Sequence, residues 1–200
     1  MKVKICGITS LEDATMCGEL GADMIGFVHV PSRKRSLPVE KIFGICSSLG
    51  PTMTTVVVCA PHDLKEALHL FVESGADVLQ TYSLEPSDLI KLRDMRVDVF
   101  RVVPPDRSEA ARFSEAADAL VFENGRPGTG SSYDYATIPI DCCAKAIVAG
   151  GLTIENLHLA KVLGPYALDV SSGVESSPGK KDPELVVEFI RRCHESTTTH

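Results

Sequence analysis

The sequence predicts an α/β fold, a single (β/α)8 TIM barrel that spans residues 1–195. Eight short apolar runs of strand length recur along the 200 residues, and stretches of helical length separate them. Strands that alternate with helices in a domain of this size form a parallel sheet, and eight such strands close into a barrel. The alternative is an open doubly wound sheet, which is disfavoured because the phrase Gly-x-Gly-x-x-Gly is missing after the first strand.

Each expected strand is a short run rich in apolar and β-branched residues. The expected strands are 3–6, 24–28, 54–58, 78–80, 99–102, 119–122, 146–149 and 167–170. The expected helices lie between them, and a weaker, shorter segment lies at 133–138. The helices are 11–20, 39–49, 64–74, 86–95, 108–116, 154–163 and 183–194.

Local signals mark the ends of these helices. Ser10 followed by Asp13 is typical of a helix N-cap with an acidic residue in the first turn. The phrase Gly-Ala-Asp occurs twice, at 21–23 and 75–77, each time between a helix and the next strand. A glycine there can adopt the left-handed conformation that ends a helix. The repeat, two βα units apart, supports a repeating architecture.

Composition indicates an ordinary globular protein. Hydrophobic residues make up 44% of the chain, charged residues 24%, and the net charge is −7. We therefore expect neither nucleic acid nor a membrane as a partner. No apolar stretch approaches the roughly 20 residues that cross a bilayer, and the first residues lack the layout of a signal peptide. We expect a cytoplasmic protein with a disordered tail at 196–200.

The seven cysteines do not predict a metal site or disulfides. Their number is odd, their spacing is irregular, and no Cys-x-x-Cys pair is present. Cys142 and Cys143 are adjacent, which suits neither a tetrahedral metal site nor a disulfide. We therefore expect no metal.

Cys6 is the cysteine whose position suggests chemistry. It ends the first expected strand, and Gly7 opens the turn toward the first helix. Reactive groups of parallel α/β folds gather at the carboxyl ends of strands. A buried apolar thiol is the competing interpretation, because free cysteine is among the most buried residue types. The position alone leaves both interpretations open.

The loops after the seventh and eighth strands predict a phosphorylated small-molecule ligand. Gly150 and Gly151 follow one strand, and Ser171, Ser172 and Gly173 follow the next. Glycine-rich backbone exposes N–H groups, and a short helix that starts near Gly173 directs its positive end to the same spot, as in many phosphate-binding barrels. The alternative is that these glycines only permit tight turns.

Other polar residues follow the remaining strands. Arg35 lies in a basic loop after the second strand, which we expect on the rim opposite the phosphate loops. Glu123 and Asp169 supply carboxylates between these two ends, so a base and an acid can face one substrate. The glycine-rich segment 125–132 can be either a mobile lid or a plain linker.

Taken in order, these phrases resemble the phosphoribosylanthranilate isomerase family of tryptophan biosynthesis. The resemblance covers about residues 2 to 194. The chain opens with Lys-Ile-Cys-Gly-Ile-Thr at 4–9. It closes with Asp-Val-Ser-Ser-Gly-Val-Glu at 169–175 and Pro-Gly-Lys-Lys-Asp at 178–182. The opening and closing phrases together are highly specific.

The resemblance implies an Amadori rearrangement of an aminoaldose to an aminoketose, without a metal or another cofactor. It implies that Cys6 is the general base and Glu123 the general acid. It also implies that Arg35 holds the anthranilate carboxylate, and that Gln80 and Asp169 line the substrate site. The resemblance further implies that Gly150, Gly151 and residues 171–173 bind the phosphate. We expect the protein to be a monomer or a homodimer.

Two positions depart from the family pattern. The family carries an aspartate in a Leu-Leu-Asp-Thr phrase where this chain has Glu123, whose stem is one methylene longer. The family's Gln-x-His-Gly becomes Gln-Thr-Tyr-Ser at 80–83, and Tyr82 does not replace histidine as a group that titrates near pH 7. Two other functions stay open: a phosphosugar barrel for a different aminoaldose, and a phosphate-ligand binding protein without turnover.

Overall fold

Eight parallel strands close into a barrel in chain order, with the last strand paired to the first. A computed structural model describes residues 1–31, 33–124 and 132–195. The barrel strands are β1 (Lys2–Cys6), β2 (Met24–His29), β3 (Thr54–Cys59), β4 (Val78–Thr81), β5 (Asp98–Val103), β6 (Ala119–Phe122), β7 (Ala146–Ala149) and β8 (Ala167–Val170). The barrel and all eight predicted strands are confirmed, with shifts of one residue at some ends.

Helices on the outside of the barrel connect the strands. They are α1 (Leu11–Glu19), α2 (Val39–Cys46), α3 (Leu64–Ser74), α4 (Pro86–Asp94), α5 (Arg107–Phe113), α6 (Leu157–Lys161) and α7 (Pro183–His194). The weak segment at 133–138 forms only a 3-10 turn, Tyr135–Thr137. Helix α6 is shorter than predicted because the Asn156 side chain accepts the Thr153 N–H and holds the preceding residues in a turn.

Alternation along the strands divides the apolar residues into two layers. Outward-facing side chains such as Val3, Ile5 and Phe27 pack against the helices. The inward-facing residues fill the barrel, and they are Met24, Val56, Val58, Val78, Phe100, Val102, Ala119, Val121, Ile147, Ala149 and Ala167. The barrel is therefore filled by apolar side chains below its carboxyl-terminal rim, and the buried polar residues Lys4, Gln80 and Asp169 lie toward that rim.

The amino-terminal rim is fastened by a repeated hydrogen bond. Asp23, just before β2, accepts the N–H of Val3 in β1 at 2.8 Å. Asp77 accepts the N–H of Thr55 at 2.8 Å, and Asp118 accepts that of Val99 at 2.8 Å. Two of these aspartates end the Gly-Ala-Asp phrases, whose glycines have φ of 98° and 61° as expected for helix ends.

A short antiparallel pair, β9 (Glu175–Ser177) and β10 (Lys180–Lys181), lies between β8 and α7. In the part of the chain that the structure describes, no helix is both long and apolar enough to cross a membrane. The tail predicted at 196–200 lies outside the described residues, as do 125–131 of the segment predicted to be a lid or linker.

Candidate active site

The carboxyl ends of the strands bring the predicted polar residues to one rim of the barrel. Lys4 and Cys6 are two residues apart in β1, so both side chains face the barrel interior. Gln80 of β4 and Asp169 of β8 are also buried there. Glu123 directly follows β6, three strands from β1 around the barrel. The predicted thiol and carboxyl thus face one mouth from opposite sides.

The Cys6 thiol lies beside the buried Lys4 ammonium. A Cβ atom built on Gly26 of β2 would lie 2.9 Å from Cys6 Sγ and 3.1 Å from Lys4 Nζ, so both groups pack against this glycine. Burial raises the pKa of the Cys6 thiol, and the positive charge of Lys4 opposes that rise. The thiol therefore packs against the inner apolar layer and at the same time lies beside a buried positive charge.

Lys4 also binds Asp169 across the β1–β8 pair. Its Nζ donates to Asp169 Oδ2 at 2.8 Å, and both side chains are almost completely buried. Burial opposes the charge of Lys4, but Asp169 and Cys6 outweigh it and hold the pKa of the ammonium above its usual value. The other oxygen, Asp169 Oδ1, has no hydrogen-bond partner among the described residues, and neither has Gln80 Oε1.

The two buried oxygens without partners among the described residues, Asp169 Oδ1 and Gln80 Oε1, indicate a ligand site. Buried polar atoms are nearly always paired, and an unpaired one costs about 1–3 kcal/mol. Asp169 and Gln80 lie on strands at two sides of the same mouth. Two acceptors without donors are what hydroxyl groups of a bound sugar can satisfy.

Glu123 accepts a hydrogen bond from Tyr82, the residue that follows β4. Tyr82 Oη donates to Glu123 Oε2 at 2.9 Å. Burial raises the pKa of the Glu123 carboxyl, while the Tyr82 bond opposes that rise. The shift favours the protonated carboxyl, which is the form that a general acid needs.

Arg35 does not lie on the rim opposite the phosphate loops, and that expectation was wrong. Its Nε and Nη2 donate to Glu175 at 2.7 and 2.6 Å, so it is joined to the segment that follows β8. Lys181 Nζ donates to Glu175 at 2.9 Å and to the Ser171 carbonyl at 3.0 Å. Arg35 reaches Glu175 because β2, which precedes Arg35, is separated from β8 in the barrel only by β1.

This network leaves Glu175 ionised. Burial opposes the charge of Glu175, but Arg35 and Lys181 outweigh it and hold the pKa of this carboxyl below its usual range. Gly7, with φ of 73°, makes room for the network, since a Cβ there would lie 2.5 Å from the Arg35 side chain. The carboxylate of Glu175 occupies the guanidinium edge that a substrate carboxylate could use.

The two predicted phosphate loops contact each other directly. A Cβ on Gly173 would lie 2.0 Å from the Leu152 carbonyl oxygen, so only glycine lets the β8 loop approach the β7 loop so closely. Gly150 and Gly151 have φ of 90° and 66°. Among the described residues, the N–H groups of Gly151, Ser172 and Gly173 have no hydrogen-bond acceptor.

The expected helix at Gly173 is only a 3-10 turn, Ser172–Val174. A single turn adds little dipole, so any phosphate affinity rests on the N–H groups themselves.

Three features of the site were not predicted from the sequence. Lys4 was given no role, although a lysine in an apolar strand, two residues before Cys6, signals an inward-facing charge. The Arg35–Glu175 pair and the Tyr82–Glu123 bond join residues 140 and 41 positions apart. No local pattern encodes such contacts. Among the described residues, no group of three or more His, Cys, Asp and Glu side chains could hold a metal ion.

The fold and the site define a class: a (β/α)8-barrel protein with acid–base side chains at the carboxyl ends of its strands. The family model for N-(5'-phosphoribosyl)anthranilate isomerase matches residues 3–192. The chain therefore belongs to the N-(5'-phosphoribosyl)anthranilate isomerase family.

Individual relatives agree. The chain is 37% identical over 202 residues to the N-(5'-phosphoribosyl)anthranilate isomerase of Geobacter metallireducens, covering 96% of this chain and 98% of that one. The isomerase structure from Thermus thermophilus superposes with a TM-score of 0.88 at 36% identity, covering 96% and 98% of the two chains. A second isomerase structure, in complex with reduced 1-(o-carboxyphenylamino)-1-deoxyribulose 5-phosphate, gives a TM-score of 0.85 at 32% identity with the same coverage.

Proposed function

We propose that this protein converts N-(5-phosphoribosyl)anthranilate into 1-(2-carboxyphenylamino)-1-deoxyribulose 5-phosphate, an aminoaldose into an aminoketose. Family membership supports the reaction. The observation that carries the assignment of roles is that the Cys6 thiol and the Glu123 carboxyl face one barrel mouth from β1 and β6. The rearrangement needs one group that gives a proton and one that takes a proton, on a single bound substrate.

Glu123 acts first as general acid. Its protonated carboxyl gives a proton to the furanose ring oxygen as the bond from that oxygen to C1 breaks. The lone pair of the anthranilate nitrogen forms a C=N bond to C1, so the opened product is an iminium ion. Burial favours this step because it raises the pKa of Glu123 and so favours the protonated carboxyl.

Cys6 acts second as general base. Its thiolate removes the proton from C2, the C2–H electron pair becomes a C1=C2 double bond, and the iminium nitrogen receives the displaced electrons. The Cys6 thiol then gives its proton to C1 while the enol hydroxyl at C2 gives its proton to the Glu123 carboxylate, which forms the ketone and returns both side chains to their starting forms. The iminium acidifies C2–H, so a thiolate is a sufficient base, and Lys4 stabilises that thiolate against burial.

Binding groups lie on both sides of the reacting atoms. We assign the phosphate to Gly150, Gly151 and residues 171–173. The close contact of these loops supports an anion site, as do the N–H groups of Gly151, Ser172 and Gly173, which have no acceptor among the described residues. We assign sugar hydroxyls to the unpaired oxygens of Gln80 and Asp169.

Arg35 takes the anthranilate carboxylate, exchanging part of its pairing with Glu175. A planar guanidinium suits this role because it binds carboxylates through two parallel hydrogen bonds. The protein acts without a cofactor, in the cytoplasm, as a monomer or a homodimer.

The test follows the loss of phosphoribosylanthranilate fluorescence with freshly made substrate. The parent should turn it over, Cys6→Ala should lose nearly all turnover, and Glu123→Gln should lose about 100-fold or more. Glu85→Gln is the control, since the Glu85 side chain is 70% exposed and pairs with Arg112 of α5. Absence of parental turnover would overturn the proposed function, and full activity of Cys6→Ala would overturn the assigned base.

A further inference from the structure

The two positions that depart from the family pattern contact each other. Tyr82 stands where the family has histidine, Glu123 stands where it has aspartate, and a 2.9 Å hydrogen bond joins their side chains. We infer that Tyr82 is a positioning residue that holds the longer Glu123 carboxyl in place for proton donation. This inference rests on the proposed function, because it concerns the acid assigned there.

The surroundings of Tyr82 suit a fixed anchor. The ring packs against the inner apolar layer of the barrel, so its position is set by the core. Above it, the Arg33 guanidinium lies 5.7 Å from the ring centroid, within the range of a cation–π contact. The hydroxyl is therefore presented from a ring that is held on both sides.

Glu123 needs such an anchor because of its length. A glutamate has one more rotatable bond than an aspartate, and holding it in one conformation costs side-chain entropy. A Cβ built on Gly150 would lie 3.4 Å from Glu123 Cγ, so the β7 loop supports the stem while Tyr82 fixes the carboxyl. Since Tyr82 donates to Oε2, the other oxygen, Oε1, is left to carry the proton toward the substrate.

Tyr82 stays a donor and does not compete as the acid. Burial and the neighbouring Glu123 raise the pKa of the Tyr82 hydroxyl, so it keeps its proton. The other charged groups that influence Glu123 are Asp169 of β8, Lys4 of β1 and Arg33 of the segment after β2. The Tyr82 hydroxyl contacts the Glu123 carboxyl directly, at 2.9 Å.

The test is a double-mutant cycle on the intact protein. Tyr82→Phe keeps the ring and removes only the hydroxyl. It should lower kcat about tenfold or more, because a carboxyl displaced by about 1 Å can lose roughly 100-fold in rate, and it should change KM little. In the Glu123→Gln background the same change should have no further effect. Tyr166→Phe is the matched control, because Tyr166 packs against the same inner layer but precedes β8 at the amino-terminal end.

A second measurement does not depend on turnover. Titration of the protein labelled with ¹³C at the glutamate carboxyl should show that Tyr82→Phe moves the pKa of Glu123 upward, because the hydrogen bond opposes the effect of burial. Equal losses from Tyr82→Phe in both backgrounds, or an unchanged Glu123 titration, would overturn the inference. An inactive parent whose Glu123 titration still shifts would overturn the proposed function alone and support the contact.

Discussion

The two rims of the barrel use carboxylates in opposite ways. At the amino-terminal rim, Asp23, Asp77 and Asp118 each accept a strand N–H at 2.8 Å. At the carboxyl-terminal rim, one buried oxygen of Asp169 has no hydrogen-bond partner among the described residues, and burial raises the pKa of Glu123. The aspartates at the amino-terminal rim stabilise the strands through hydrogen bonds, whereas we propose binding and proton transfer for the carboxylates at the other rim. Changes at the two rims should therefore have opposite consequences for stability and turnover.

The largest expected effect comes from Lys4→Met. This change leaves Asp169 as a buried charge without its cation, which should lower the free energy of unfolding by about 3–5 kcal/mol. It also removes the charge that favours the Cys6 thiolate, so alkylation of Cys6 should require a higher pH. Urea unfolding and mass-spectrometric mapping of alkylation against pH measure both. Unchanged stability and alkylation would show that Lys4 is not part of the site.

Gly26→Ala tests the packing beneath the thiol. The added methyl would lie 2.9 Å from Cys6 Sγ and 3.1 Å from Lys4 Nζ, so both groups must move. We expect a loss of about 1–3 kcal/mol in stability from overpacking and at least tenfold in kcat. Gly44→Ala in α2 is the matched control, because nothing lies within 4 Å of its added methyl. It should stabilise the helix by roughly 0.5–1 kcal/mol and leave kcat unchanged. Similar behaviour of the two variants would contradict this account.

At the opposite rim, Asp77→Ala should reduce stability and leave turnover intact. The change removes the acceptor of both the Thr55 N–H and the Thr55 hydroxyl, each at 2.8 Å. The expected loss is about 1–3 kcal/mol, the cost of unsatisfied buried donors. Thermal unfolding and kcat/KM give the two readouts. A fall in kcat/KM without a fall in stability would show that Asp77 contributes to turnover, which would contradict the structural role of the amino-terminal rim.

The smallest expected effect is a gain of stability in Glu123→Gln. Burial raises the pKa of Glu123 in the folded state. The contribution of Glu123 to the free energy of unfolding is therefore fully present below the ordinary glutamate pKa and is lost as pH rises through the raised value. The variant should therefore equal the parent in acid and exceed it near neutral pH. Unfolding curves of the variant and the parent at several pH values test the sign of this difference in stability. A variant that is less stable than the parent at neutral pH would contradict the prediction.

The sequence predicts the fold more completely than the site. Eight strands could be predicted because each is a separate apolar run, and the loops after them fall on one rim by topology. Cys6, Glu123 and Asp169 follow from that rule alone. The partner of Arg35 does not, because it depends on how the β2 loop folds over β1 onto Glu175. The Tyr82–Glu123 bond could not be predicted either, since the sequence shows each residue only as a separate departure from the family pattern.

Two cysteines at strand ends provide the most direct test. Cys6 ends β1 and faces the charged mouth, whereas Cys59 ends β3 and is buried in the layer between barrel and helices. Turnover of phosphoribosylanthranilate and the free energy of unfolding should be measured for Cys6→Ala and Cys59→Ala. The account predicts that Cys6→Ala loses turnover and keeps its stability, while Cys59→Ala keeps turnover and loses about 1–2 kcal/mol. Retained turnover in Cys6→Ala, or equal effects of the two changes on turnover, would contradict the account.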